Sequence, residues 1–463
     1  MTFSQLLTTT ADTLCGYPLF FTLIGGGLFL FAGSGFVSLR RLPHALAALR
    51  HGRSGSARGG AAISSAQALA SVVAATVGMG NIAGVAIAIA MGGPGAIFWL
   101  WVSALVGMST KYHEGVLAIM YRRHNSDGSH TGGPMHIITR GLGDRFRPLA
   151  LTFAVAGMFG TLCIMNANQL AEALYSTASA HGLADAEAPF RICCGLAFAT
   201  LVATVVLGGV RRIARVATVM VPFMVGAYFV MVLYIIVTHL PQLPGVFASI
   251  FTNAFNIEAG WGVLAGIAII GARRAALVND AGVGTASIMH STSANTEPVR
   301  EGLVAMLGPA IDSGFVCTLT ALAILLGGAV DPGETQGLTL ALNAFGASVP
   351  AGRILLTVIV ACFAISSMFT YTFYGTSCAT YLFGARKARF YTYAYIASLA
   401  LFAAIPLGIA VSLCDLFYAL MAFPTMFALL CLRKRVWSET RRYFARPDRA
   451  EGTSADSGRV AVS

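Results

Sequence analysis

The sequence predicts an all-α integral membrane protein of about eleven transmembrane helices, a single N-terminal helix followed by two sets of five. Three observations predict it. Of 463 residues, 56% are hydrophobic and only 11% charged, with a mean hydropathy of +0.74, whereas a soluble domain carries about 25% charged residues. Apolar runs long enough to cross a bilayer core, roughly 20 residues, recur along the chain. The basic residues, finally, alternate between successive connectors, as the positive-inside rule requires.

The spans fall at 17–38, 66–90, 94–120, 149–176, 190–208, 216–238, 256–276, 300–326, 353–382, 390–410 and 412–432. Alternate connectors, starting after the first span and counted with the span ends beside them, hold 27 of the 30 Lys and Arg residues. Arg191 and Arg353 fall on the other side, and Lys111 lies within the third span. A missed or invented span would scramble this asymmetry, so it supports the count. It sets a multi-pass protein in the plasma (inner) membrane with its N-terminus outside and its C-terminus cytoplasmic.

The net charge of +11 has the same origin. The excess is spread over every cytoplasmic connector, which argues against a nucleic-acid surface. No Lys or Arg precedes Arg40, and the first apolar run is long, so the first span reads as a retained anchor helix rather than a signal peptide. Eight of the nine cysteines lie inside spans and none forms a C-x-x-C pair. The nine histidines show neither H-x-x-x-H nor H-E-x-x-H spacing, so no cofactor or resident metal is expected.

The chain divides into an anchor helix and basic loop (1–65), a first five-helix repeat (66–238), a second (239–432) and a basic tail (433–463). The loop at 40–65, rich in Arg, Gly, Ser and Ala, is expected on the membrane surface or mobile, and the tail from Glu439 has the composition of a disordered segment.

The second span carries A-T-V-G-M-G-N-I-A-G at 75–84, three glycines and an asparagine at membrane depth. The G-x-G-x-x-G reading of a dinucleotide site fails, because the spacing is wrong and no strand precedes it. A small-xxx-small helix contact through Gly80 and Gly84 is the bland alternative. The seventh span has its own cluster, G-W-G-V-L-A-G at 260–266. The two clusters thus open two sets of five spans, and because five is odd, the halves enter the membrane from opposite sides. Glycine-interrupted helices at corresponding positions of inverted halves point to a secondary transporter's binding site, where unwound N–H groups hold an anionic group and freed carbonyls a cation. Thr76 and Asn81 add side-chain oxygens.

Several stretches resemble the alanine/glycine:cation symporter family: G-M-G-N-I-A-G-V at 78–85, G-G-P-G-A-I-F-W-L-W-V at 92–102, T-K-Y-H-E at 110–114, T-G-G-P-M at 131–135, P-V-R-E-G-L at 298–303 and I-D-S-G-F-V-C-T-L-T-A-L at 311–322. The resemblance runs from about residue 66 to 432 and implies a LeuT-type five-plus-five fold with two unwound helices. It further implies symport of a small neutral amino acid, alanine or glycine, with Na+ as the co-transported ion. Carried over by position, the amides of Gly78, Met79 and Gly80 meet the substrate carboxylate, with Thr76 and Asn81 beside substrate and cation. Gly260, Trp261 and Gly262 line the second break. F-A-I-S-S at 363–367 is similar to the family's F-A-F-S-T and sets the hydroxyls of Ser366 and Ser367 against carbonyls near Ala74 and Val77 as a sodium site; ordinary interhelical hydrogen bonding is the alternative for these serines. The chain departs from the family at R-A-A-L-V-N-D-A-G-V-G, 274–284, where Asp280 replaces Glu, and around Trp261, which bears on substrate size.

Ionisable groups inside spans face cavities or partners. Lys111 and Glu114, three apart on one helix face, are expected to pair or else to form a relay. Asp312 has no local basic partner and is a coupling candidate, Glu172 near the outer end of its span is expected to touch only water, and Asp280, after Arg273 and Arg274, is a candidate for an inner-gate ion pair or for a simple helix-terminal turn. A channel would need repeated acidic rings or a carbonyl filter, and an enzyme a nucleophile–base or metal motif. Neither pattern is present.

Overall fold

The structure is a computed structural model that describes residues 3–52, 63–125, 129–180, 182, 186–255, 261–328 and 337–445. It is almost wholly helical, apart from a two-stranded hairpin, β1 (Arg123–His124) and β2 (His130–Thr131). Among the described residues, seven helices are long and apolar enough to cross a membrane, or eight when one bent pair counts as a single span.

The first span, α1, runs over Gln5–Gly33, beginning well before the expected start at 17. Polar residues there do not stop the helix because the hydroxyls of Thr9, Thr10 and Thr13 donate to carbonyls one turn back. The second span is broken: α2 (Ser65–Thr76) and α3 (Val85–Gly92), joined through a π-helical segment at Gly80–Gly84, are bent by 53°. A capping box starts α2, in which Ser64 Oγ accepts from Gln67 N while the Gln67 side chain accepts from Ser64 N.

Next come α4 (Gly95–Tyr121), α5 (Arg147–Gly160), α6 (Ile164–Ala180), α7 (Glu187–Val206), α8 (Gly209–Thr238) and α9 (Leu243–Ala254). The expected span 149–176 is therefore two helices, interrupted where Cys163 takes a left-handed φ of 52°. The second half holds α10 (Trp261–Asn279), α11 (Thr285–His290), α12 (Pro298–Ala305), α13 (Cys317–Leu326), α14 (Leu338–Ser348), α15 (Gly352–Phe383), α16 (Ala385–Phe402) and α17 (Leu407–Phe444). Between α12 and α13 the chain is π-helical at Ala310–Val316.

Most of α4 is buried. It crosses α12 where glycine meets glycine: a Cβ on Gly115 would lie 2.9 Å from Gly302 Cα, and one on Gly302 would lie 2.8 Å from the Tyr112 carbonyl. Small residues at such crossings let two backbones approach, the usual basis of helix packing in lipid.

The tail expected to be disordered from Glu439 is helical as far as Phe444. Packing overrides its polar composition, since Trp437 lies against the Gly33 backbone and donates to His113 Nε2 at 3.1 Å. Part of the loop at 40–65 is likewise helical, over Leu42–Gly52.

Candidate functional site

The site is built on the break in the second span. Helix α2 ends at Thr76, and Val77 leaves helical geometry at φ −72°, ψ 85°. The Asn81 side chain then substitutes for the lost ladder, its Oδ1 accepting from Gly78 N at 3.0 Å while Asn81 N donates to the Gly78 carbonyl at 3.2 Å. A buried N–H without a partner in an apolar medium costs several kcal/mol, so this bond is what makes the unwound turn tolerable.

Helix α15 supplies the other wall. Ser366 Oγ lies 3.1 Å from the Ala74 carbonyl, and Ser367 Oγ lies 3.1 Å from the Ala74 and 2.9 Å from the Ala75 carbonyl. Both serines are fully buried. Gly78 packs on the same hydroxyl, since a Cβ there would lie 2.5 Å from Ser367 Oγ. Ala75, not Val77, is thus the residue whose carbonyl joins that of Ala74; Val77 forms the exit from the helix.

Asn81 does not face the cavity. Its Nδ2 donates to Asp312 Oδ1 at 3.1 Å and its Oδ1 is held by Gly78, so the whole amide works behind the break. The Thr76 hydroxyl donates to the Val72 carbonyl and lies beside the Asp312 carboxylate. Asp312, presented by the π-helical segment, therefore buttresses the unwound turn from α2 to α3.

The expected Lys111–Glu114 pair is not formed. Glu114 Oε1 instead accepts from Gly282 N at 2.7 Å, fixing the turn after α10, while buried Lys111 Nζ makes no hydrogen bond. The Lys111 charge acts on Glu114, Asp280 and Asp312 together. Helical spacing puts Lys111 and Glu114 on one face, but the longer-range backbone amide has the better geometry. Asp280, at φ 51°, is bonded by neutral groups rather than by arginine: its Oδ2 accepts from Tyr371 OH at 2.6 Å and Thr285 Oγ1 at 3.0 Å, while its Oδ1 makes no hydrogen bond. Glu172, instead of meeting only water, lies 3.2 Å from Arg191.

A cavity of about 50 Å³ opens against the break. Of the residues the sequence singled out, Thr76, Gly78, Met79 and Gly80 line it, whereas Asn81 does not. Sequence reasoning missed the opposite wall: Cys163 and Asn166 from the α5–α6 interruption, Arg274 from α10, Tyr371 from α15 and Tyr418 from α17. Gly157 and Gly160 stand at that interruption and were the available signal, with the left-handed Cys163 at its end. Tyr371 and Tyr418 are linked OH to OH at 2.6 Å, which connects the cavity wall to Asp280. Gly260 lies outside the described residues, and of Trp261 and Gly262 only the helical backbone is described. Among the described residues no group of three or more His, Cys, Asp or Glu is arranged to hold a metal.

A helix bundle of this kind, with a membrane span unwound beside a small cavity and a second helix bonding its freed carbonyls with hydroxyls, is that of a secondary transporter. Its fold matches that of MhsT, solved in complex with L-phenylalanine, at a TM-score of 0.55 over 80% of this chain and 87% of that one, with 16% identity. The architecture is therefore LeuT-like. The family model of the sodium:alanine symporter family matches residues 1–456, and the chain belongs to that family. It is 36% identical to the sodium/alanine symporter AgcS of Methanococcus maripaludis, over 96% of this chain and 98% of that protein. It is also 37% identical to an uncharacterized transporter of Haemophilus influenzae, over 96% and 97% of the two chains. The protein is a multi-pass membrane transporter and not an enzyme.

Proposed function

We propose that this transporter carries a small neutral amino acid, alanine or glycine, into the cell together with Na+, by alternating access. One observation carries the reading: the carbonyls of Ala74 and Ala75, freed at the end of α2, converge with the hydroxyls of Ser366 and Ser367 next to a cavity lined by Ala75 and by the turn at Gly78–Gly80. Hard oxygen ligands suit an alkali cation, and the unwound amides suit a carboxylate. The cavity, about 50 Å³ against about 10–15 Å³ for each water on that measure, has the scale of a few water molecules, which favours the smallest amino acids.

In this cycle Na+ bound at the serines ties α15 to the end of α2, and substrate bound at the adjacent turn selects the occluded state. The basic connectors face the cytoplasm, so the N-terminus lies outside and the C-terminus inside. Proton coupling is the second reading, motivated by Glu114, Asp280 and Asp312 around the unbonded Lys111. Equilibrium binding of radiolabelled alanine to the purified protein separates the two. Sodium coupling requires alanine affinity to rise with NaCl and not with KCl, and sodium affinity to rise equally with alanine. Equal affinity in both salts would reject it.

A further inference from the structure

A larger cavity lies away from the broken helix, at the end of the bundle that carries the basic connectors. It measures about 430 Å³ and is open, between the α7–α8 corner and the facing parts of α15 and α16. Val206, Leu207, Val210 and Phe373 make an apolar wall, and Arg389 and Tyr393 line the same cavity. Leu207 is 61% and Phe390 74% exposed, so apolar side chains continue outward beside the cleft at a level where a lipid-facing surface begins.

The charge around it is unbalanced. Arg211, Arg212 and Arg215 follow one wall, and Arg386, Lys387 and Arg389 follow the other. Arg212 folds back to donate to the Thr204 carbonyl at 2.8 Å. The other five make no hydrogen bond or ion pair with any described residue. No Asp or Glu occurs from 188 to 257 or from 335 to 414. Glu187, at the far end of α7 from the cleft, is engaged by Arg191 at 2.7 Å, so no acid lies on the cleft helices near these cations. Arg389 lines the apolar slot with no anionic partner, and the other four follow its lining residues closely along the chain, a setting that calls for a ligand with an anionic head and a hydrocarbon body.

We propose that this cleft binds an anionic glycerophospholipid, its phosphodiester against Arg389 and Tyr393 and an acyl chain along Val206, Leu207, Val210 and Phe373. The cleft's inner wall is α15 at Thr372, Phe373 and Thr376, directly after Tyr371, whose hydroxyl holds Asp280. A lipid seated there therefore braces the helix that carries Ser366 and Ser367.

The test uses the full-length protein, delipidated in detergent and titrated with phosphatidylglycerol or phosphatidylcholine, with bound lipid counted by native mass spectrometry. The wild type retains one phosphatidylglycerol in preference to phosphatidylcholine. Arg389→Ala weakens retention about fivefold, and the triple variant Arg386→Ala/Lys387→Ala/Arg389→Ala more than tenfold, following the worth of each basic residue near an anionic surface. Arg389→Lys, which keeps a cation but not the guanidinium fork, falls between, and a monodisperse elution profile for each variant shows that it is folded. Equal retention of the two lipids, or unchanged phosphatidylglycerol binding in the triple variant, overturns the assignment. Displacement of the bound species by millimolar inorganic phosphate would make the site one for a soluble anion and overturn the lipid occupant.

Discussion

Gly78 and Ser367 offer a test of how the broken helix is packed against α15. A Cβ built on Gly78 meets Ser367 Oγ at 2.5 Å, but its next neighbours, Ser367 Cβ and the Ala75 carbonyl, are at 3.6 and 3.7 Å, ordinary contact distances. The hydroxyl alone is in the way. Gly78→Ala therefore overpacks the site, at about 1–3 kcal/mol. Ser367→Ala removes a donor from the Ala74 and Ala75 carbonyls, at about 1 kcal/mol or more. In the double variant the new methyl fits, so it should be more stable than the sum of the singles by about 1–3 kcal/mol. Chemical unfolding in mixed micelles, monitored by intrinsic fluorescence, measures the cycle. Sodium dependence follows a different rule, because the oxygen is absent from both Ser367→Ala and the double variant. In each, the sodium concentration for half-maximal uptake should rise roughly 10- to 150-fold, the equivalent of about 1.5–3 kcal/mol for a bond to a charged group. Strictly additive stabilities would refute the packing, and unchanged sodium dependence in Ser367→Ala would remove the cation from this site.

Other substitutions probe the surrounding frame. Glu301 is buried, lies 2.6 Å from His290 Nδ1 and accepts from Ser65 and Ser293 at 2.7 and 2.9 Å, tying the start of α2 to the loop before α12. Glu301→Ala strands these partners and should cost about 3–5 kcal/mol, read as a lowered unfolding midpoint of the purified protein. Gly80→Leu puts a branched side chain into the small cavity and should abolish alanine uptake while membrane insertion, followed by surface labelling, stays normal. Asp312→Ala leaves Asn81 Nδ2 without its carboxylate and should lower uptake sharply, whereas Asp312→Asn, which keeps an acceptor, should retain more of it.

Much of this was legible in the sequence because the bilayer forces it to be. Long apolar runs announce their helices, and Gly78, Gly80 and Asn81 announce the break, since glycine and a short amide at membrane depth weaken a helix without another purpose. The F-A-I-S-S stretch marked the helix that meets it. What stayed hidden depends on tertiary contact. Glu114 prefers the Gly282 amide to Lys111, three residues away, because its partner comes from a turn 168 residues along the chain. The α5–α6 interruption at Cys163 is marked only by Gly157 and Gly160, which read equally well as helix-packing residues, although it supplies a wall of the cavity. The final helix continues to Phe444 because Trp437 finds His113 and Gly33, which no local pattern foretells.

The coupling ion is tested most directly by reconstituting the protein into proteoliposomes and following radiolabelled alanine under an inward gradient of sodium, potassium or protons, imposed in turn. Sodium coupling through Ser366 and Ser367 predicts accumulation above the external concentration with the sodium gradient alone, up to roughly fifty-fold for each 100 mV of imposed potential. Accumulation driven by protons without sodium would contradict it, and would shift coupling to the carboxylates of Glu114, Asp280 and Asp312.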